Sequence, residues 1–130
     1  MNKEQKKQYI ENMSAEFEKF QAVIVTHYQG LSVSQLDDLR NQMRNYGIKF
    51  KITKNRITKL ALEKTKCKNI SDLFNGPTAV ALSEDAIISA KILTKFSKEN
   101  QNLKILGGIM GSDVLDVEGV KNVATLPSLE

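Results

Sequence analysis

Short β-branched runs alternate with amphipathic stripes along almost the whole chain, and that alternation leaves few folds open. Residues 22–28 (AVIVTHY) are short, apolar and β-branched, the character of a buried strand. Residues 78–82 (TAVAL) read the same way. Residues 48–53 alternate instead: Ile48, Phe50 and Ile52 share one face, and Lys49, Lys51 and Thr53 the other. A half-buried strand results, with its lysines turned from the core. Residues 103–106 form a last strand that runs into Gly107, Gly108 and Gly111.

Helices fill the intervals. Ile10, Met13, Phe17 and Phe20 recur at helical spacing across residues 3–20. Around them Lys3, Lys6 and Lys7 cluster at the helix start, where cations oppose the macrodipole. They do nothing for helix stability there, so a partner is one reason for them. Ser32 and Gln35 form a capping box, with Leu31 and Leu36 placed as a hydrophobic staple. Leu36, Leu39, Met43 and Tyr46 continue that stripe, and Gly47 is placed to end it in a left-handed conformation. Asp37 and Arg40 are spaced to pair on the opposite face.

A third helix spans 55 to about 66, with Ile57, Leu60 and Ala61 inward and Arg56, Lys59, Glu63 and Lys66 along an outer stripe. Ser71 caps a short helical turn over 70–74, and Gly76-Pro77 punctuates it. Ser83 caps a helix from Glu84 to about Lys98 that buries Ile87, Ala90 or Ile88, Leu93 and Phe96. A weaker helix covers Val117–Ala124, ahead of Pro127. The expected fold is a single α/β sandwich domain, a central sheet of about four strands flanked by helices.

Composition excludes several function classes. The one cysteine, Cys67, permits no internal disulfide, so a disulfide scaffold is out. The longest apolar runs, four or five residues, are far short of the roughly 20 that a spanning helix needs. A reducing cytoplasmic compartment is expected. His27 is the only histidine, and no spaced Cys/His pairs offer a metal site. The serines sit at helix caps, their commonplace use. No catalytic residue, metal or cofactor is assigned, and an enzyme is not expected.

The net charge of +4 is unevenly spread. Residues 1–68 carry 14 Lys/Arg and 7 Asp/Glu, and within them residues 40–68 carry ten basic residues and one acid, Glu63. Such asymmetry suggests a polyanionic partner, beside the plainer reading that lysine-rich faces are merely solvated. The densest part is Lys49, Lys51, Lys54, Asn55, Arg56 and Lys59, across a strand-to-helix junction. Its cations neutralise phosphates, while Asn55 and the first helix N–H groups donate to backbone oxygens. Tyr28 and Tyr46 flank the preceding helix, and either ring suits stacking on an unpaired base, although Tyr46 lies on the core stripe.

Two other readings compete. Glycines 107–111 (GGIMG) offer a turn for a nucleotide-binding enzyme or switch, but the spacing is neither the dinucleotide fingerprint nor the phosphate-binding loop. A strand-exit turn requiring positive φ is the simpler account. A protein-interaction module would use the acidic second half instead.

The segments HYQGLSVSQLDDLR (27–40), KITKNRITKLAL (51–62), NGPTAVALS (75–83), ILGGIMG (105–111) and ATLPS (124–128) occur in order. Together they resemble the ribosomal stalk-base proteins of the large subunit, the bacterial L-ten family with its P-zero relatives. The resemblance implies an α/β domain that binds large-subunit ribosomal RNA at the GTPase-associated region, beside the L-eleven protein. It also implies the base of the stalk that engages GTP-bound translation factors, and binding to its own messenger RNA. The RNA-contacting positions it implies are Lys3, Lys6, Lys7, Tyr28, Gln29, Gly30, Lys54, Asn55, Arg56 and Lys59. In the family a further C-terminal helix carries L-seven/L-twelve dimers. Residues 1–130 are expected to be the RNA-binding domain alone, without that helix, so dimer binding is not assigned to them.

Overall fold

The computed structural model of the chain describes residues 2–53, 55–62, 74, 76, 78–100, 102–110 and 113–125, with Asn55 and Ala86 described by their backbone only. The elements run α1 (Lys3–Lys19), β1 (Ala22–His27), α2 (Val33–Arg44), β2 (Lys49–Ile52), α3 (Asn55–Leu62), β3 (Thr78–Ser83), α4 (Ala86–Glu99), β4 (Lys104–Met110), β5 (Asp113–Leu115) and α5 (Val117–Ala124). The strands form one sheet in the order β2-β3-β1-β4-β5, each neighbouring pair antiparallel. Five strands stand where about four were expected. The fifth has three residues and little burial, so neither length nor hydrophobic pattern announces it.

The run AVIV of β1 is buried on both faces because helices cover both. Ala22 and Ile24 point to one core with Leu39 and Met43 of α2, Ala90, Leu93 and Phe96 of α4, and Val120 and Val123 of α5. Val23 and Val25 point to the other, with Met13 and Phe17 of α1 and Ala61 and Leu62 of α3. A fully buried side chain of this kind contributes roughly 1.5–3 kcal/mol. Burial on both faces also explains why β1 shows no polar alternation. Among the described residues no helix is long and apolar enough to cross a membrane.

Several local expectations are met. The Ser32 capping box forms, with Ser32 Oγ accepting from Gln35 N–H at 3.1 Å and Gln35 Oε1 accepting from Ser32 N–H at 2.9 Å. Gly47 has φ +73°, although the helix cap itself is Asn45. Asn2 and Gln5 form a second capping box on α1, at the same three-residue spacing.

Other expectations need correction. Ser83 closes β3; Asp85 caps α4, its carboxylate accepting from the N–H groups of Ile87 and Ile88. Tyr46 is 63% exposed because α2 has already ended at Arg44, so the helical stripe no longer governs it. Ile52 is 42% exposed at the end of β2, where Thr53 is buried instead. Leu60 is 49% exposed: α3 is turned toward α1, presenting Thr58, Ala61 and Leu62 inward. Asp37 and Arg40 form no ion pair; the described ion pairs both involve Glu16. The third helix is described to Leu62, so Glu63, Lys66, Cys67 and residues 70–73 of the turn expected over 70–74 lie outside the described residues.

Gly107 and Gly108 lie inside β4, not in a strand-exit turn. The β1–β4 register shifts between Val25 and Thr26, which pair with Gly107 and Ile105, so Leu106 is the extra residue of a bulge. Gly108 is required by close approach: a Cβ there would stand 2.4 Å from the Val23 carbonyl oxygen. Both glycines are therefore spent on strand pairing. Gly111, the last of the cluster, lies outside the described residues.

Candidate nucleic-acid interface

β1 and β2 each pair antiparallel with β3, so they run parallel to one another and their carboxyl ends share one edge of the sheet. The residues after β1 are Tyr28, Gln29 and Gly30; those after β2 lead into the start of α3. Two cross-links orient α1 beside α3. Tyr9 Oη and Thr58 Oγ1 share a hydrogen bond of 2.9 Å, and Ser14 Oγ donates to the Ala61 carbonyl at 3.2 Å. Both links climb in the same chain direction, so the amino ends of α1 and α3 lie at the same end. The fold thus collects three separate segments at one sheet edge: the first turns of α1, the Tyr28–Gly30 turn, and the β2–α3 junction.

Lys3, Lys6, Lys7 and Arg56 are exposed there, and Lys59 is half-exposed. None of them forms an ion pair with a described residue. Lys3, Lys6 and Lys7 also line a groove with Glu4, Ile10 and Glu11 on α1. Asn55 opens α3, as expected of a residue near free helix N–H groups, and Lys54 lies outside the described residues.

Gln29 and Gly30 form a tight turn in which Leu31 N–H donates to the Tyr28 carbonyl at 3.0 Å. Gly30 has φ +93°, the left-handed conformation that the third position of a type II turn takes. Asn102 Nδ2 donates to the Gly30 carbonyl at 3.0 Å, and Gln35 Nε2 donates to Asn100 Oδ1 at 2.9 Å. The end of α4 thereby locks the turn. Tyr28 is half-buried against the α2–α4 core, so only part of its ring is open to stacking.

Lys49 and Lys51, grouped with this block on sequence, are drawn elsewhere. Their ammonium groups reach Glu16 of α1 at 3.3 and 2.8 Å. Burial would raise the Glu16 pKa, but the hydrogen bonds and charges of Lys51 and then Lys49 outweigh it and hold the carboxyl below its usual value of 4.5. A depressed folded pKa stabilises above the unfolded value and is lost as pH falls through the folded one. Glu16→Gln should therefore lower Tm at neutral pH, and the gap from the wild type should close as pH falls from 4.5 through the lowered folded pKa. Thermal melts of both proteins across that range check this.

One cation at this edge escaped sequence reading. Lys104 is exposed at the start of β4, paired in register with His27. It sits in the acidic half of the chain, where charge arithmetic hides it, and only the β1–β4 pairing brings it to the edge.

The whole chain is similar to bacterial large ribosomal subunit proteins uL10. It is 68% identical over all 130 residues to that of Pelagibacter ubique, covering 78% of the relative. It is 49% identical to that of Paramagnetospirillum magneticum and 46% identical to that of Rhodospirillum rubrum, each over the full chain and 76% of the relative. The sequence profile of ribosomal protein L10 matches residues 1–98, which hold all three segments gathered at the sheet edge. The chain belongs to the ribosomal protein L10 family.

Proposed function

We propose that the domain is a structural, non-catalytic component of the large ribosomal subunit in the cytoplasm, and that it binds ribosomal RNA through the sheet edge formed by α1, the Tyr28–Gly30 turn and the β2–α3 junction. One observation carries the reading: five cations from α1 and α3, far apart in sequence, meet at one edge without a described acidic partner. Phosphate contacts from Lys3, Lys6, Lys7, Lys54, Arg56 and Lys59 position the domain. Tyr28, Gln29, Gly30 and Asn55 add stacking and hydrogen bonds. The RNA is the GTPase-associated region, with the L-eleven protein as neighbour. Bound there, the domain forms the base of the stalk that engages GTP-bound translation factors. Its own messenger RNA is a second ligand of the same surface, while L-seven/L-twelve dimers are not assigned to these residues.

Binding to that ribosomal RNA fragment should weaken with salt at a log–log slope of roughly −3.5 to −4.5, the value for about five neutralised phosphates. A salt-titrated filter-binding or anisotropy assay measures it. A flat salt dependence removes the proposal.

A further inference from the structure

The outer side of β2, beside the start of the strand, carries a groove that the RNA reading does not use. β2 is an edge strand, and among the described residues no strand pairs with its outer side. Thr53 N–H donates to the Thr78 carbonyl at 3.0 Å. Alternation along an antiparallel strand then turns the N–H and C=O groups of Lys51 and Lys49 toward β3 and those of Phe50 and Ile52 outward. Alongside lies a groove of about 440 Å³ lined by Arg40 and Arg44 of α2, Gly47 and residues 48–51. Among the described residues no acidic one lines it. Neither arginine forms an ion pair with a described residue. The Arg40 Nε is buried and lacks an acceptor among the described residues, which is rare for a native donor.

We propose that this groove docks an extended acidic peptide, which adds a strand to the outer side of β2. Such a peptide meets the groove's chemistry at three points. Its main chain pairs with Phe50 and Ile52, supplying both donors and acceptors. Alternate apolar side chains lie over Ile48 and Phe50. Its carboxylates face Arg40 and Arg44, giving the Arg40 Nε the acceptor it lacks, with the geometry a planar guanidinium favours. An RNA backbone fits less well. Its phosphate oxygens only accept, and its 2′-hydroxyls are not a strand's array of N–H donors for the outward carbonyls of β2.

The test uses an end-blocked octapeptide alternating valine and glutamate, its valine–lysine counterpart, and a single-stranded RNA decamer. Amide exchange of the domain is followed by NMR. The valine–glutamate peptide should slow exchange of Phe50 and Ile52 at least tenfold, with little change at Lys49 and Lys51, which already bond to β3. Arg44→Glu, at an exposed position, should weaken binding at least tenfold while leaving the thermal melt in place. Ile52→Pro removes one outward donor and no β3 bond, and should weaken it as well. Three results overturn the proposal: no protection at millimolar peptide, equal binding of the lysine peptide, or protection of Phe50 and Ile52 by the RNA decamer alone.

Discussion

Gly108→Val should destabilise the domain by about 3 kcal/mol or more, at or beyond the upper end of what overpacking usually costs. The new Cβ would lie 2.4 Å from the Val23 carbonyl oxygen and 3.0 Å from the Ile24 Cα, both backbone atoms. Backbone gives way far less readily than a side chain, and β1 is held in place by β3 on one side and β4 on the other. Against a typical stability of about 5–15 kcal/mol, such a loss is severe. Tm should fall by roughly 10 °C or more. Gly47→Ala separates steric from conformational cost. No described atom lies within 4 Å of a Cβ at Gly47, but φ is +73°. That variant should lose only about 1 kcal/mol, from the left-handed backbone alone. Paired urea melts distinguish the two, and equal losses would refute the close-approach account.

Reversing Lys6, Lys7, Arg56 and Lys59 to glutamate in one variant should lower ribosomal RNA affinity at least about 100-fold near 0.1 M salt. The salt slope should fall by about one for each phosphate contact removed. All four side chains are exposed or half-exposed, and none is in a described ion pair, so the melt should move little. Reversing Lys49 and Lys51 is the control. It changes half as much charge and removes the Glu16 bridges on the flank of β2, so it should lower Tm while leaving affinity nearly unchanged. A double reversal that costs half or more of the logarithm of affinity lost in the fourfold one would mean that net charge, not the gathered edge, governs binding.

The residues that declared themselves in the sequence are those whose environment is set locally. Met13 and Phe17 sit on a helical stripe, and Ser32 and Gln35 close a capping box within one turn, so spacing alone finds them. Helix α5 was placed correctly, its core contacts Val120 and Val123 lying on one face. What stayed hidden depends on partners distant in the chain. Gly108 is glycine because of Val23, and nothing near either residue records that approach. Thr58 turns inward because Tyr9 reaches it, which left Leu60 outside against its apolar character. The same holds for the candidate site. Its basic block was legible as charge, but the division of that block was not. Only the position of Glu16 separates Lys49 and Lys51 from Arg56 and Lys59.

The strand order β2-β3-β1-β4-β5 sets a schedule for synthesis. β1 emerges from the ribosome before any other strand, yet both of its partners, β3 and β4, come much later in the chain. At about 5–20 residues per second, roughly 4–17 s pass between the end of β1 and the end of β4. The run AVIV has no partner strand until β3 is made, and its other edge, which β4 takes, stays open for the whole interval. A sheet of this topology is therefore assembled in stages, β2-β3-β1 becoming possible at residue 83 and the remainder only after β4 and β5.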